Sequence, residues 1–144
     1  MATDRRADVT WKGSLQEGSG TIRSTTSGKL GEQPVSWVNR AEDNPDATSP
    51  EELIAAAHAA CFSMALSSGL AKGGTPPDEL NTSATVTFQP GEGITKIALA
   101  VEGRVPGLDA QGFEEAAQGA KENCPVSKAL ASVPEITLDA RLAS

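Results

Sequence analysis

Two thiols and one imidazole supply the nucleophilic chemistry in this sequence: Cys61, Cys124 and His58. A cysteine reacts as its thiolate, and an unperturbed thiol with a pKa of about 8.5 is only a few per cent ionised at neutral pH. The useful question is therefore what lowers each pKa. Cys124 precedes Pro125-Val126-Ser127, a spacing that puts it at the N-cap of a short helix, where oriented N–H groups favour an anion. Cys61 sits mid-helix between Ala60 and Phe62, without such help, and needs a nearby cation to react. On composition alone Cys61 also suits an inert core position and Cys124 a plain capping residue. His58 and Cys61 are three apart and share a helix face, which makes His58 a candidate base for Cys61. A metal site is disfavoured, because these residues offer three soft ligands and no C-x-x-C spacing.

The elements that must position these groups are legible in outline. Ala7 to Gly13, with Val9-x-Trp11 alternating, and Gly18 to Ser27 suggest two short strands; Gln33 to Asn39 suggests a third, with Val35, Trp37 and Asn39 on one face. Arg40 then falls where a strand enters a loop broken by Asp43-Asn44-Pro45-Asp46. Ser49-Pro50-Glu51-Glu52 is a helix start, with Ser at the N-cap, Pro at N1 and Glu52 in a capping box. The helix runs to about Lys72 and stops at Gly73-Gly74 and Pro76-Pro77. Its Leu53, Ala56, Ala57, Ala60, Met64 and Ser67/Ser68 stripe is small enough to admit another backbone closely. Thr82 to Phe88 and Ile94 to Val105 form a hairpin, Asp109 to Lys121 a second helix, Cys124 to Ala131 a short third, and Glu135 to Leu142 a closing strand. The order βββ-α-ββ-α-α-β is α+β, with no repeat or linker, so residues 1–144 are expected to form a single domain.

Composition removes several function classes. Lys+Arg 12 against Asp+Glu 19 gives 12 − 19 = −7, and no basic cluster exceeds Arg5-Arg6, so nucleic acid and anionic membrane surfaces are poor partners. The Leu53 to Leu70 stretch is rich in Ala, with His58 and several Ser, and reads as too weakly hydrophobic to span a bilayer. The first residues carry charge and no apolar run, so a cytoplasmic protein is expected. Three Phe, two Trp and no Tyr leave an aliphatic, Ala-based core, thin enough to keep oligomerisation open.

Asn39-Arg40, the run from Ser49 through Ala57-His58-Ala59-Ala60-Cys61-Phe62-Ser63-Met64-Ala65-Leu66, and Asn123-Cys124-Pro125-Val126-Ser127 together resemble the OsmC/Ohr family of thiol peroxidases. The resemblance is close to full length. The strands around Thr95-Lys96-Ile97-Ala98-Leu99 and Glu135-Ile136-Thr137-Leu138-Asp139 are similar to the osmotically inducible branch. It implies a fold of antiparallel sheets around a long central Ala-rich helix, in an intertwined two-fold dimer. It also implies a two-cysteine peroxidase of oxidative and osmotic stress defence: Cys61 as the peroxidatic nucleophile, Cys124 as the resolving thiol, a Cys61–Cys124 disulfide, and Arg40 as the cation. Arg5, Arg6 and Arg23 are the alternative arginines. The implied substrate is an organic hydroperoxide, with hydrogen peroxide weaker; the reductant is a dithiol of the dihydrolipoyl type, and no bound cofactor is implied. A guanidinium ~4 Å from Cys61 would interact by ~4 kcal/mol at an effective dielectric of about 20, before desolvation opposes it. The rival on the same fold is a non-catalytic redox sensor or a binding protein for small hydrophobic molecules.

Glu51 is left free by the capping box and, at minimum, is a favourable acid in the first helical turn. Ten residues separate it from Cys61, ~15 Å along a straight helix and beyond side-chain reach. If Glu51 orients the site arginine, it is therefore expected to come from a second chain, with two Ala-rich helices packed about a two-fold axis.

Overall fold

The computed structural model describes residues 1–42 and 45–143, and the chain packs as two compact units, residues 1–53 and 54–144. Asp43 and Asn44 of the expected chain break lie outside the described residues.

In the first unit, β1 (Ala7–Lys12), β2 (Ser19–Thr25) and β3 (Gln33–Val35) form an antiparallel sheet in sequence order. The third strand is shorter than the alternation of Val35, Trp37 and Asn39 suggests. Ser36 instead caps a short helix, α1 (Trp37–Ala41), by accepting from the Asn39 N–H at 3.2 Å. A local cap here overrides the two-residue period, so Arg40 stands in the last turn of a helix and not at a strand end. Ser49 accepts from the Glu52 N–H at 3.1 Å and starts α2 (Pro50–Lys72).

In the second unit, β4 (Glu79–Gln89) pairs antiparallel with β5 (Gly93–Arg104), and β6 (Glu135–Leu142) pairs with β5 in parallel, from Lys96↔Glu135 to Gly103↔Leu142. The expectation of antiparallel sheets is corrected here. Parallel neighbours need a long crossover, supplied by α3 (Ala110–Asn123) and α4 (Pro125–Ala129). Phe62, Leu66 and Leu70 of α2, Ile97, Leu99 and Val101 of β5, and Phe113, Ala117 and Ala120 of α3 build the core. The buried line of α2 in this unit is thus His58, Phe62, Leu66, Leu70 at a spacing of four, while Ala56, Ala57, Ala60, Met64 and Ser68 are exposed. The stripe of small residues faces outward. Gly74, at φ +88, turns the chain out of α2.

By length and composition α2 is apolar enough to cross a membrane, with an 18-residue window at mean hydropathy 1.5. This corrects the sequence-based estimate, because Ala weighs as an apolar residue over so long a run. What the helix does with its large side chains is pack Phe62, Leu66 and Leu70 into the core.

Gly103 on β5 is where α3 approaches most tightly: a Cβ there would lie 2.5 Å from Phe113 Cε1 and Cζ and 3.1 Å from Leu80 Cδ2. Phe113 is fully buried and has nowhere to move. Gly103→Ala is expected to destabilise the fold by about 1–3 kcal/mol through overpacking, read as a lower urea midpoint at unchanged slope.

Candidate active site

Pro125 shapes the site. A residue before proline is disfavoured in the α region, so Cys124 takes φ −58, ψ 123, ending α3 and beginning α4 at once. Its N–H still bonds back to the Ala120 carbonyl at 2.8 Å. The corner is held against α2, where Cys61 and Cys124, both free, lie close enough to influence each other's acidity. The sequence separation of 63 (124 − 61) is bridged by the β4–β5 hairpin and α3, a proximity no local sequence pattern encodes. The two sulfurs differ in access: Cys124 is 0% exposed, whereas Cys61 is partly exposed.

Their acidities also diverge. Burial pushes the Cys61 thiol up; the Val126 N–H opposes this, and the neighbouring Cys124 raises it further. Burial also acts upward on Cys124. There the Ser127 N–H, the Cys61 thiol, the Ser127 hydroxyl and the Val126 N–H outweigh it and hold Cys124 below the usual thiol range. No cation of residues 54–143 is among the groups acting on Cys61.

His58, the candidate base for Cys61, is engaged with Ser127 instead. It is fully buried, and its Nε2 lies 2.7 Å from Ser127 Oγ. Burial holds its pKa below the ordinary imidazole range, so it is neutral at neutral pH. Ser127 was not singled out from the sequence; the signal available was its N3 position behind a Cys-Pro cap. Among the described residues no group of three or more His, Cys, Asp or Glu is placed to hold a metal ion.

In the first unit, Arg40 Nε donates to Glu51 Oε1 at 2.9 Å. Glu51 is buried and Arg40 about a third exposed, with side-chain exposures of 8% and 36%. The two come together within one chain, because α1 sits just before α2 in sequence and returns Arg40 to the first turn of α2. A second chain is therefore not required for Glu51 to orient Arg40, which corrects that step of the sequence argument. Among the described residues, the other carboxylate oxygen of Glu51 is buried without a hydrogen-bond partner. Arg6, just before β1, pairs with Asp8 of β1 at 2.8 Å, so of the alternative arginines it already has a partner.

A partly exposed cysteine beside a buried one on an α+β scaffold is an arrangement that suits a dithiol redox protein. The OsmC-like protein family matches residues 42–139, and the chain belongs to that family. It is 46% identical to the peroxiredoxin OsmC of Escherichia coli (strain K12) over 147 aligned positions covering all of both chains, and equally to that of Shigella flexneri. Among solved structures, the organic hydroperoxide resistance protein OhrB of Bacillus subtilis superposes with TM-score 0.64 at 27% identity, over 96% of this chain and 98% of that one. An organic hydroperoxide resistance protein from Elizabethkingia anophelis gives TM-score 0.70 at 23% identity, over 99% and 100%, and shares the fold.

Proposed function

We propose that this protein is a cysteine-based peroxidase that reduces organic hydroperoxides to alcohols. The observation that carries the reading is the pair itself: two free cysteines close enough to shift each other's acidity, Cys61 partly exposed and Cys124 buried. Cys61 thiolate attacks the terminal oxygen of the hydroperoxide. The oxygen–oxygen bond breaks, the alkoxide leaves and takes a proton, and Cys61 becomes a sulfenic acid. Cys124 then attacks the Cys61 sulfur, the sulfur–oxygen bond breaks, water is released and the disulfide forms. A dithiol, of the dihydrolipoyl class on family grounds, returns both thiols. The apolar side chains of Ala57, Ala60, Phe62 and Met64 around Cys61 in sequence favour an alkyl over a hydrogen peroxide substrate.

The cation for Cys61 is Arg40, held by Glu51, and it comes from a second subunit. Glu51 and Cys61 of one chain are ~15 Å apart along α2, and Arg40 travels with Glu51. Two α2 helices meeting through their exposed Ala faces would bring each Arg40–Glu51 pair to the other chain's Cys61, twice by symmetry. The protein then acts as a cytoplasmic homodimer in stress defence.

The test of the chemistry is a thiol count on reduced protein before and after one equivalent of cumene hydroperoxide. Loss of both thiols to an intramolecular disulfide is expected. Survival of both would return Cys61 to the role of a packing residue and bring forward the binding-protein reading.

A further inference from the structure

His58 and Ser127 are not needed for any step above, yet they form a buried polar pair beside the resolving thiol. His58 Nδ1 is buried and has no hydrogen-bond partner among the described residues. A buried N–H without an acceptor is costlier and rarer than a bare acceptor, so the ring proton belongs on Nε2. Nε2–H then donates to Ser127 Oγ across 2.7 Å, which leaves the Ser127 proton free to point elsewhere. Ser127 is the third residue of the helix that Cys124 caps, and both its hydroxyl and its N–H act on the Cys124 sulfur. The Cys124 side chain makes no cap hydrogen bond, and Ser127, at N3 beside the cap, is the side-chain hydroxyl nearest to it along α4.

We propose that His58 and Ser127 are positioning residues, a two-step donor relay from His58 Nε2–H through Ser127 O–H that stabilises the Cys124 thiolate and so speeds disulfide formation with the Cys61 sulfenic acid. The inference rests on the peroxidase reading. In the step it serves, the Cys124 thiolate forms the sulfur–sulfur bond, the Cys61 sulfur–oxygen bond breaks, and the departing hydroxide takes the proton that Cys124 gave up, leaving as water. Successive hydrogen bonds of this kind polarise one another, and the dry surroundings strengthen both. The titratable groups acting on Cys124 are Cys61 and, through Ser127, His58, both from α2. The charged residues flanking it on α3 and α4, Lys121, Glu122 and Lys128, reach solvent and are not among the main influences on its sulfur.

The experiment has two arms. In a Cys61→Ser background, the ultraviolet absorbance of the Cys124 thiolate is followed against pH, which needs no access to the buried sulfur. Ser127→Ala and His58→Leu are each expected to move the midpoint up by about one pH unit, as loss of a charge-assisted hydrogen bond does. His58→Gln, which keeps an N–H near the place of Nε2, is expected to stay close to the parent. If His58→Leu fails to fold, Ser127→Ala and His58→Gln still decide. In the second arm, with Cys61 present, dimedone competes with Cys124 for the sulfenic acid. Ser127→Ala should slow disulfide formation roughly threefold at neutral pH, a tenfold loss of thiolate being partly offset by higher nucleophilicity. An unmoved midpoint in Ser127→Ala overturns the relay, and a shift there with none in His58→Leu overturns the part given to His58. If peroxide yields no sulfenic acid even without these substitutions, the peroxidase reading fails, while the titration still decides whether the relay exists.

Discussion

Cys61→Ser is expected to abolish peroxide turnover, whereas Cys124→Ser is expected to consume about one equivalent of hydroperoxide per chain and then stop. Acidity alone would assign the roles the other way, since within residues 54–143 Cys124 is the thiol held low and Cys61 the one pushed up. Access decides against that. Cys124 has no exposed surface, and a hydroperoxide large enough to carry an alkyl chain cannot reach its sulfur without opening the core around Phe62 and Phe113. Cys61 is reachable, and an acidic Cys124 suits a resolving thiol that must attack within the protein once a sulfenic acid forms. Single-turnover mixing with cumene hydroperoxide and a peroxide assay separates the outcomes. Equal loss of the first equivalent in both variants would count against this division of labour.

Arg40→Ala is expected to lower kcat/KM by on the order of 100-fold, the size of effect that follows when a donor facing developing negative charge is removed. On the proposed reading the guanidinium would serve twice, favouring the Cys61 thiolate before attack and the alkoxide as the oxygen–oxygen bond breaks. Arg40→Lys should recover little, because a point charge lacks the fork that can hold Glu51 and still face a sulfur. Subunit origin can be read from the same variant. If Arg40 of one chain serves Cys61 of the other, co-refolding Arg40→Ala with Cys61→Ser gives mixed dimers in which one of two sites is intact. A 1:1 mixture would then recover roughly a quarter of the unsubstituted rate, by the statistics of random two-fold pairing. No recovery, with exchange verified by mass, would place Arg40 and Cys61 of an active site in one chain and remove the trans arrangement.

What was legible in the sequence was local. Ser49-Pro50-Glu51-Glu52 marks the start of α2 because its cap bonds lie within three residues, and Glu135–Leu142 is a strand by alternation alone. Where two local signals competed, the wrong one was favoured: Val35, Trp37 and Asn39 alternate, yet Ser36 is also an N-cap, and the cap prevails. Features set by tertiary contact were out of reach. Nothing in β6 itself says that it pairs in parallel with β5, and nothing near Arg40 says that α1 returns it to Glu51 of the same chain. The two cysteines could be named from their motifs, but which one is sealed depends on the core that forms around Cys124. Ser127 escaped notice because its partner, His58, is 69 residues away.

The span between the thiols has a further consequence. Joining Cys61 to Cys124 closes a loop of 63 residues (124 − 61) that contains the β4–β5 hairpin and the whole of α3. On the chain-entropy account, a cross-link of that length removes enough freedom from the unfolded chain to favour the folded state by about 4 kcal/mol. The oxidised intermediate is then the sturdier protein and the resting dithiol the looser one. Each catalytic cycle alternately tightens and relaxes the chain, and the reductant that ends it must overcome that tightening as well as the bond.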